Sequence, residues 1–482
     1  MKPLTNQKIA GILLKMESAT IPNQFVHNGV DFWPYIKISI IGRLRNIHVQ
    51  VKHHSKFVYV LRLSISEISK VLKALYRCRI VDAKANLKGN FYPTMILAPY
   101  EHRYEKTRGG CLNKHADAIR GYCDAYQTIG LIEYNFSSKW GERRASDSHI
   151  LTIMPSLLNV KYCILSAFRR STDKWSIETN SLNNVFKSEG IGIELNSSNL
   201  FLEAKRVWEA SLYCKEYLMR YQVKHLINIV YSNYIAIGFV LAARQLGIKT
   251  TEYQHGSQND THPIYTGWTL IDTSGYQLLP ENYWVWSLRN QQRIQQWAQH
   301  SQSHNAKITG NFYINPFLSN NTERVKSTVI LLTLQDPSQF PVFMYNAISN
   351  SPKDWIWWIK EHPRYKLTSS IWKRFEDTSA QIFDVSDEHL YTLFSKVTMH
   401  VTGYSTCAFE AEIFNLPTVF FDETARFGYQ ELIANYEHFV FASDENEVVD
   451  SIIKLTDITV KQSGYIEAAS YKVDELLKVS GD

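Results

Sequence analysis

The sequence lacks the cysteine spacings that build zinc sites or disulfide frameworks. Its six cysteines are scattered, with no CxxC pair and no His–Cys pattern. We therefore expect reduced thiols and no structural metal.

No apolar run is long enough to cross a bilayer, since the most apolar window covers only residues 234–243. Residues 1–18 lack the small-residue cleavage site of a signal peptide. We expect a cytoplasmic protein.

A strong charge of either sign is also missing. The net charge is +6 over 482 residues, which suits anionic ligands or an anionic membrane surface but does not indicate nucleic-acid binding. The chain has no internal repeat and no low-complexity tract. A hydrophobic content of 45% with 20% charged residues is typical of a globular protein, and the length predicts two or more domains.

Two regions alternate between strand and helix patterns. Residues 225–256 read as strand, helix and strand, with Gly247 ending the helix. Residues 327–421 repeat this alternation several times, which predicts a doubly wound parallel sheet. The polar stretch at 312–326 has turn chemistry and predicts a domain boundary. We predict an N-terminal domain over 1–315, with insertions, and a C-terminal domain over 316–482.

Ligands of such sheets bind outside the carboxyl ends of the strands. Gln335 and Asp336 follow the strand "VILLT", so Asp336 could be a nucleophile or a base at a ligand site. The alternative is that Asp336 caps the helix that Pro337 begins.

A second strand end carries basic residues. "WIWWIK" is followed by His362, Pro363 and Arg364, and Pro363 favours extended backbone at His362. Together with Lys360 and Lys366, these residues could clamp a phosphate. A solvated basic loop is the alternative.

Two further motifs follow predicted strands. In "VTGYSTCAFEAEIF", Gly403 allows a tight turn, and Ser405 and Thr406 stand at a helix N-terminus, which favours anions. A plain serine cap is the alternative. Glu410, one turn further on, could reach ribose hydroxyls, whereas we expect Glu412 at the surface.

The fourth motif, "EYQHG", places His255 directly after a buried strand, with Gly256 permitting close backbone approach. A structural histidine is the alternative to a functional one.

In order and spacing, these motifs resemble those of GT-B glycosyltransferases of bacterial surface polysaccharides, of the CMP-dependent Kdo and sialic acid transferase type. The resemblance covers residues 225–440 and rests on "LTLQD", His362-Pro363, Ser405-Thr406 with Glu410, and "QHG". It implies an α/β GT-B fold, in which two Rossmann-like doubly wound domains face an interdomain cleft.

By this resemblance, Gln335, His362, Pro363, Arg364, Ser405, Thr406 and Glu410 bind the nucleotide. Asp336 is the nucleophile of a retaining β-Kdo transferase, and His255 is a second catalytic residue. The resemblance implies a CMP-activated donor of Kdo (CMP-Kdo) or of a related ulosonic acid. It also implies a lipid-linked lipopolysaccharide or capsule glycan as the acceptor, reached from the cytoplasm or from the inner-membrane surface. No metal or other cofactor is implied, since no DxD motif suggests a divalent cation. A CDP-polyol or UDP/GDP-sugar donor and an inactive glycan-binding module stay open as alternatives.

Overall fold

The computed structural model describes residues 4, 6–20, 24–45, 56–76, 89, 91–124, 126–135, 144–168, 179–256, 258, 262–269, 273–318, 327–335, 340–362 and 365–479. The chain forms two units. Domain 1 comprises Met1–Phe312 and Ser470–Asp482, and domain 2 comprises Tyr313–Ala469. The segment after residue 469 therefore belongs to domain 1, although the sequence analysis placed it in the C-terminal domain.

Hydrogen bonds explain where this final segment lies. The Val473 N–H donates to the Tyr122 carbonyl at 3.0 Å. The Asp474 carboxylate accepts from the Asp124 N–H at 2.6 Å and from the Cys123 thiol at 3.1 Å. The Val473 side chain is fully buried. These contacts join residues far apart in sequence, which local sequence patterns do not encode.

Domain 1 contains ten of the described α-helices and eleven of the described strands. Its helices are α1 (Asn6–Ala19), α2 (Trp33–Arg45), α3 (Lys56–Tyr76), α4 (Lys114–Gly121), α5 (Ile153–Phe168), α6 (Asn180–Ser188), α7 (Ser197–Arg220), α8 (Tyr234–Gln245), α9 (Leu288–Ala298) and α18 (Val473–Val479). Its strands are β1 (Val26–His27), β2 (Val30–Asp31), β3 (Thr94–Pro99), β4 (Arg103–Thr107), β5 (Gly110–Asn113), β6 (Ile129–Tyr134), β7 (His149–Leu151), β8 (His225–Ile229), β9 (Lys249–Tyr253), β10 (Asn282–Val285) and β11 (Asn305–Ile308).

Seven of these strands form one parallel sheet in the order β11-β10-β9-β8-β3-β6-β7. The chain leaves β3 in one direction and returns to its other side at β8, so the topological switch point lies between β3 and β8. Every residue of β3, β6 and β8 is buried, as expected where both faces of a sheet are covered. Gly247 follows α8 with a φ of 68°, which confirms it as the helix stop.

Helices α7 and α8 approach closely at Gly238. A Cβ added there would lie 3.0 Å from the Ala210 Cβ. We expect Gly238→Val to lower the free energy of unfolding by about 2 kcal/mol, because overpacking forces the two helices apart. Urea denaturation measures this change. Gly11→Val is the control, since a Cβ there meets no atom within 4 Å; an equal loss in both variants would contradict the explanation.

Domain 2 contains eight of the described helices and six strands. The helices are α10 (Asn315–Leu318), α11 (Val342–Asn350), α12 (Ser369–Glu376), α13 (Leu390–Phe394), α14 (Cys407–Ile413), α15 (Glu423–Gly428), α16 (Gln430–Asn435) and α17 (Glu445–Leu455). The strands are β12 (Val329–Thr333), β13 (Ile356–Lys360), β14 (Gln381–Asp384), β15 (Met399–Thr402), β16 (Thr418–Phe420) and β17 (Phe439–Phe441).

The six strands form a parallel sheet in the order β14-β13-β12-β15-β16-β17. The two doubly wound, Rossmann-like domains predicted from the sequence are thus confirmed. Burial is less complete in β13 than in the central strands. Ile356, Trp358 and Lys360 of β13 are only half-buried, because β13 lies beside the exposed edge strand β14. Among the described helices, none is both long and apolar enough to span a bilayer.

Candidate functional site

The switch point of domain 2 lies between β12 and β15, the central pair of its sheet. β12 is followed along the chain by β13 and β14 on one side, whereas β15, β16 and β17 lie on the other. A small cavity, partly open to solvent, lies at the carboxyl edge of the sheet at this place. It is lined by Leu334, Gln335, Phe340, Gly403, Tyr404, Phe421 and Asp422.

Gln335 and Gly403 form a tight pair in the wall of this cavity. The Gln335 Oε1 accepts a hydrogen bond from the Tyr404 N–H at 3.1 Å. A Cβ added at Gly403 would lie only 2.8 Å from the same Oε1. Glycine is therefore required for Gln335 to hold the backbone after β15.

Buried polar side chains join the central strands beneath the cavity. The Thr333 hydroxyl contacts the His400 Nε2 at 2.9 Å and the Thr402 hydroxyl at 3.0 Å. The His400 Nδ1 contacts the Thr418 hydroxyl at 3.1 Å. Burial lowers the pKa of His400 to about 3, so the ring stays neutral and serves as a hydrogen-bonding bridge. Sequence reasoning missed this ladder because it took the strand interiors as apolar.

Ser405 and Thr406 follow directly after the cavity residue Tyr404. The Ser405 hydroxyl accepts from the Cys407 N–H at 3.3 Å, so it does bond the start of α14, as the capping alternative requires. Thr406 occupies the N-cap position but makes no side-chain capping bond. Both residues lie at the edge where the sequence places them, and their role toward a ligand stays a prediction.

The two glutamates of α14 lie in different surroundings. The Glu410 Oε1 accepts a hydrogen bond from the Tyr391 hydroxyl, and the residue is largely buried. Glu412 is fully buried and accepts from the Ser463 hydroxyl at 2.6 Å and contacts the His438 Nε2 at 2.9 Å. The expectation of a surface Glu412 was wrong, because segments far along the chain cover that side of the helix.

The β13 end contributes fewer available cations than its sequence suggests. The Lys360 ammonium donates to the Ser386 carbonyl at 3.1 Å, and Lys366 pairs with Glu361 at 2.8 Å. Each of these lysines thus already has a partner within domain 2. This weakens the prediction that both lysines join His362 and Arg364 in holding a phosphate.

His362 lies just after β13, at the carboxyl edge of the sheet of domain 2. It is half-buried and forms an antiparallel bridge with Tyr365. β13 pairs with β12 up to Lys360 and Thr333, so His362 and Gln335 follow neighbouring strand ends. Asp336, Pro363 and Arg364 lie outside the described residues, and their roles stay predictions.

His255 lies at the corresponding edge of domain 1, two residues after β9. Its Nδ1 is 3.8 Å from the Glu252 Oε1. That carboxyl oxygen also accepts from the Tyr265 hydroxyl at 3.1 Å and from the Val230 N–H at 3.2 Å. Burial lowers the pKa of His255 and raises that of Glu252 well above its ordinary value. His255 is therefore neutral at neutral pH and able to accept a proton.

Other polar groups surround His255. Its ring centroid is 5.8 Å from that of His102, which lies 5.4 Å from that of His115. Asn228, paired with Glu252 in the β8–β9 register, is fully buried and has no hydrogen-bond partner for its amide among the described residues. Sequence reasoning missed these neighbours. Only Glu252, which lies in β9 three residues before His255, gave a local signal.

Comparison with known proteins gives structural similarity alone. No protein-family model matches the chain, and no curated protein matches it significantly. Among solved structures it is similar to the UDP-GlcNAc 2-epimerase of Methanocaldococcus jannaschii, at 9% identity over 80% of this chain and 99% of that one, with a TM-score of 0.44. It is also similar to MurG of Acinetobacter baumannii, at 9% identity over 80% and 98%, with a TM-score of 0.41. A third similarity is to the wall teichoic acid polymerase TagF, at 10% identity over 88% and 98%, with a TM-score of 0.38. These values assign neither a family nor an activity to this chain.

Proposed function

We propose that this protein is a glycosyltransferase that uses a nucleotide-activated sugar, and that domain 2 binds the nucleotide. The observation that carries the proposal is the cavity between the carboxyl ends of β12 and β15. Ligands of doubly wound sheets bind at this place, because the loops of the two strands diverge there.

The side chains at this edge suit a nucleotide. Gln335 can hydrogen-bond a base or a ribose, and the ring of Tyr404 offers a stacking surface. Ser405, Thr406 and His362 are proposed to hold the phosphate, since hydroxyl and imidazole N–H groups donate to phosphate oxygens.

Three further contacts complete the proposed nucleotide site. Glu410, oriented by Tyr391, is the proposed ribose contact. Pro363 and Arg364 are carried from the sequence resemblance as further nucleotide contacts.

The proposed chemistry is a retaining transfer in two steps. Asp336 attacks the anomeric carbon and displaces CMP. The acceptor hydroxyl then attacks the same carbon, frees the Asp336 carboxylate and gives its proton to His255. Support for His255 as the base is its neutral state, its half-buried position after β9 and the Glu252 carboxyl group 3.8 Å away. We propose that no metal takes part, with His362 and the start of α14 offsetting the leaving phosphate charge.

We further propose that the donor is a CMP-activated ulosonic acid such as Kdo and that the acceptor is a lipopolysaccharide or capsule glycan. This choice rests on the resemblance of the His362-Pro363 and Ser405-Thr406 motifs. The alternatives are a CDP-polyol or UDP/GDP-sugar donor on the same fold, and a glycan-binding module without activity.

Thermal unfolding in the presence of nucleotides separates these possibilities. We expect CMP or CDP to raise the melting temperature more than UMP, UDP or GDP. A ligand at 100 times its dissociation constant stabilises the folded state by about 2.7 kcal/mol. A clear preference for UDP or GDP would overturn the CMP assignment. Glycan binding without donor hydrolysis in a nucleotide-sugar panel would identify an inactive module.

A further inference from the structure

The wall of the domain 2 cavity carries a single charged side chain. Asp422 lies two residues after β16, and its side chain is half-buried in this wall. Among the described residues that line the cavity, none is basic. A carboxylate without a neighbouring cation repels a phosphate and attracts a group that donates hydrogen bonds. The cavity therefore favours an uncharged part of a nucleotide over its phosphate.

The carboxylate of Asp422 is held in place by the protein and still has room for a ligand. Its Oδ1 accepts a hydrogen bond from the Thr424 N–H at 2.7 Å, which caps α15. The Asp422 N–H donates to the Gly403 carbonyl at 3.4 Å. Because the two oxygens of a carboxylate offer about four acceptor sites, Asp422 can accept from a ligand while it caps the helix.

Aromatic rings form another part of the same wall. Phe340 and Phe421 pack edge to face, with their ring centroids 5.6 Å apart, and both line the cavity beside Leu334. Apolar rings of this kind suit the flat face of a base, whereas the hydroxyl groups of a ribose would lose hydrogen bonds to water there. Apolar surface beside one negatively charged acceptor fits an aromatic base that carries an amino group.

We propose that Asp422 selects the base of the nucleotide by accepting a hydrogen bond from the exocyclic amino group of cytosine. Aspartate and glutamate recognise this amino group in nucleic acids. Uracil has a carbonyl oxygen at the same ring position, and that oxygen and the carboxylate would repel each other. The inference rests on the proposed nucleotide site in domain 2 and adds the residue that distinguishes cytosine from uracil.

Calorimetric titration of the full chain with CMP and UMP tests the proposal. We expect the wild type to bind CMP about tenfold more tightly than UMP. In Asp422→Asn the preference should disappear, because the amide loses the charge and can donate to the uracil carbonyl. Asparagine caps helices as well as aspartate does, so the melting temperature should not change.

A CMP analogue without the amino group, the 2-pyrimidinone ribonucleotide, isolates the contact. The wild type should bind it about tenfold more weakly than CMP, whereas Asp422→Asn should bind both nucleotides equally. This comparison can be made on the wild type alone, so equal wild-type affinities for CMP and the analogue would overturn the proposal even if the variant were unstable.

Asp444→Asn is the matched control. Asp444 also caps a helix of domain 2, since its Oδ1 accepts from the Asn446 N–H at 2.9 Å, but it does not line the cavity. This variant should keep the wild-type preference for CMP.

The remaining outcomes separate this inference from the proposed function. A CMP preference that persists in Asp422→Asn would overturn the role of Asp422 and leave the nucleotide site in place. Tighter wild-type binding of GMP than of CMP would overturn the choice of cytosine, because guanine also carries an exocyclic amino group. Binding of none of these nucleotides by the wild type would overturn the proposed function and this inference with it.

Discussion

Replacing His255 by asparagine is expected to lower kcat for sugar transfer about a thousandfold, within the range for loss of a general base. The asparagine amide cannot accept the acceptor proton at neutral pH, although it keeps a polar side chain after β9. Nucleotide affinity should not change, because the proposed nucleotide contacts all lie in domain 2. Steady-state kinetics and calorimetric titration with CMP measure the two effects separately.

The pH dependence gives a second readout of the same variant. Burial lowers the pKa of His255, so the ring keeps its neutral, basic form at pH values below its ordinary pKa of about 6.5. We therefore expect kcat/KM to stay constant through pH 6.5 and to fall only when the pH reaches the lowered pKa of His255. Glu252, His102 and His115 are the titratable neighbours. His300→Asn changes an exposed histidine and serves as the control. A His255 variant that retains a tenth or more of wild-type kcat, or an acid limb above pH 7, would remove His255 from the catalytic role.

Gly403→Ala is expected to weaken nucleotide binding about tenfold, which corresponds to about 1.4 kcal/mol. The added Cβ would lie 2.8 Å from the Gln335 Oε1 and 3.4 Å from the Asp422 Cβ. Gln335 must then move, which breaks its hydrogen bond with the Tyr404 N–H and changes two residues of the cavity wall.

Gly428→Ala is the matched control for this substitution. Gly428 lies in the same domain, and a Cβ added there would meet no atom within 4 Å. Its dissociation constant for CMP should equal that of the wild type. Unchanged CMP affinity in Gly403→Ala, in a protein that unfolds at the wild-type temperature, would place the nucleotide away from this cavity.

The sequence was sufficient to predict the central strands of both sheets and the edge at which polar residues gather. Apolar runs such as "VILLT" end at glycine, proline or polar residues, and burial of such runs is the dominant local signal. That signal placed Gln335, Gly403 and His255 directly after strands, where the structure has them.

The local signal failed where a helix begins close to a strand. The apolar pattern "SHILTIMPS" at residues 148–156 predicts one strand, but β7 ends at Leu151 and α5 begins at Ile153. Pro155 lies in the first turn of α5, where proline is tolerated because the N–H groups there lack helical partners.

The remaining errors come from contacts distant in sequence. Glu412 is buried because Ser463 and His438 reach it, and the His400 ladder joins three strands of domain 2. The six-residue strand β6 and the short strands β11 and β17 were not predicted either. A strand of a few residues depends on its neighbours in the sheet more than on its own composition.

The proposal that domain 2 holds the nucleotide is tested most directly by a crystal structure of the full chain soaked with CMP. We expect the nucleotide between the carboxyl ends of β12 and β15, with its base or ribose beside Gln335 and its phosphate within hydrogen-bond distance of Ser405, Thr406 or His362. A CMP molecule bound elsewhere, or a cavity that stays empty at saturating CMP, would contradict the proposal.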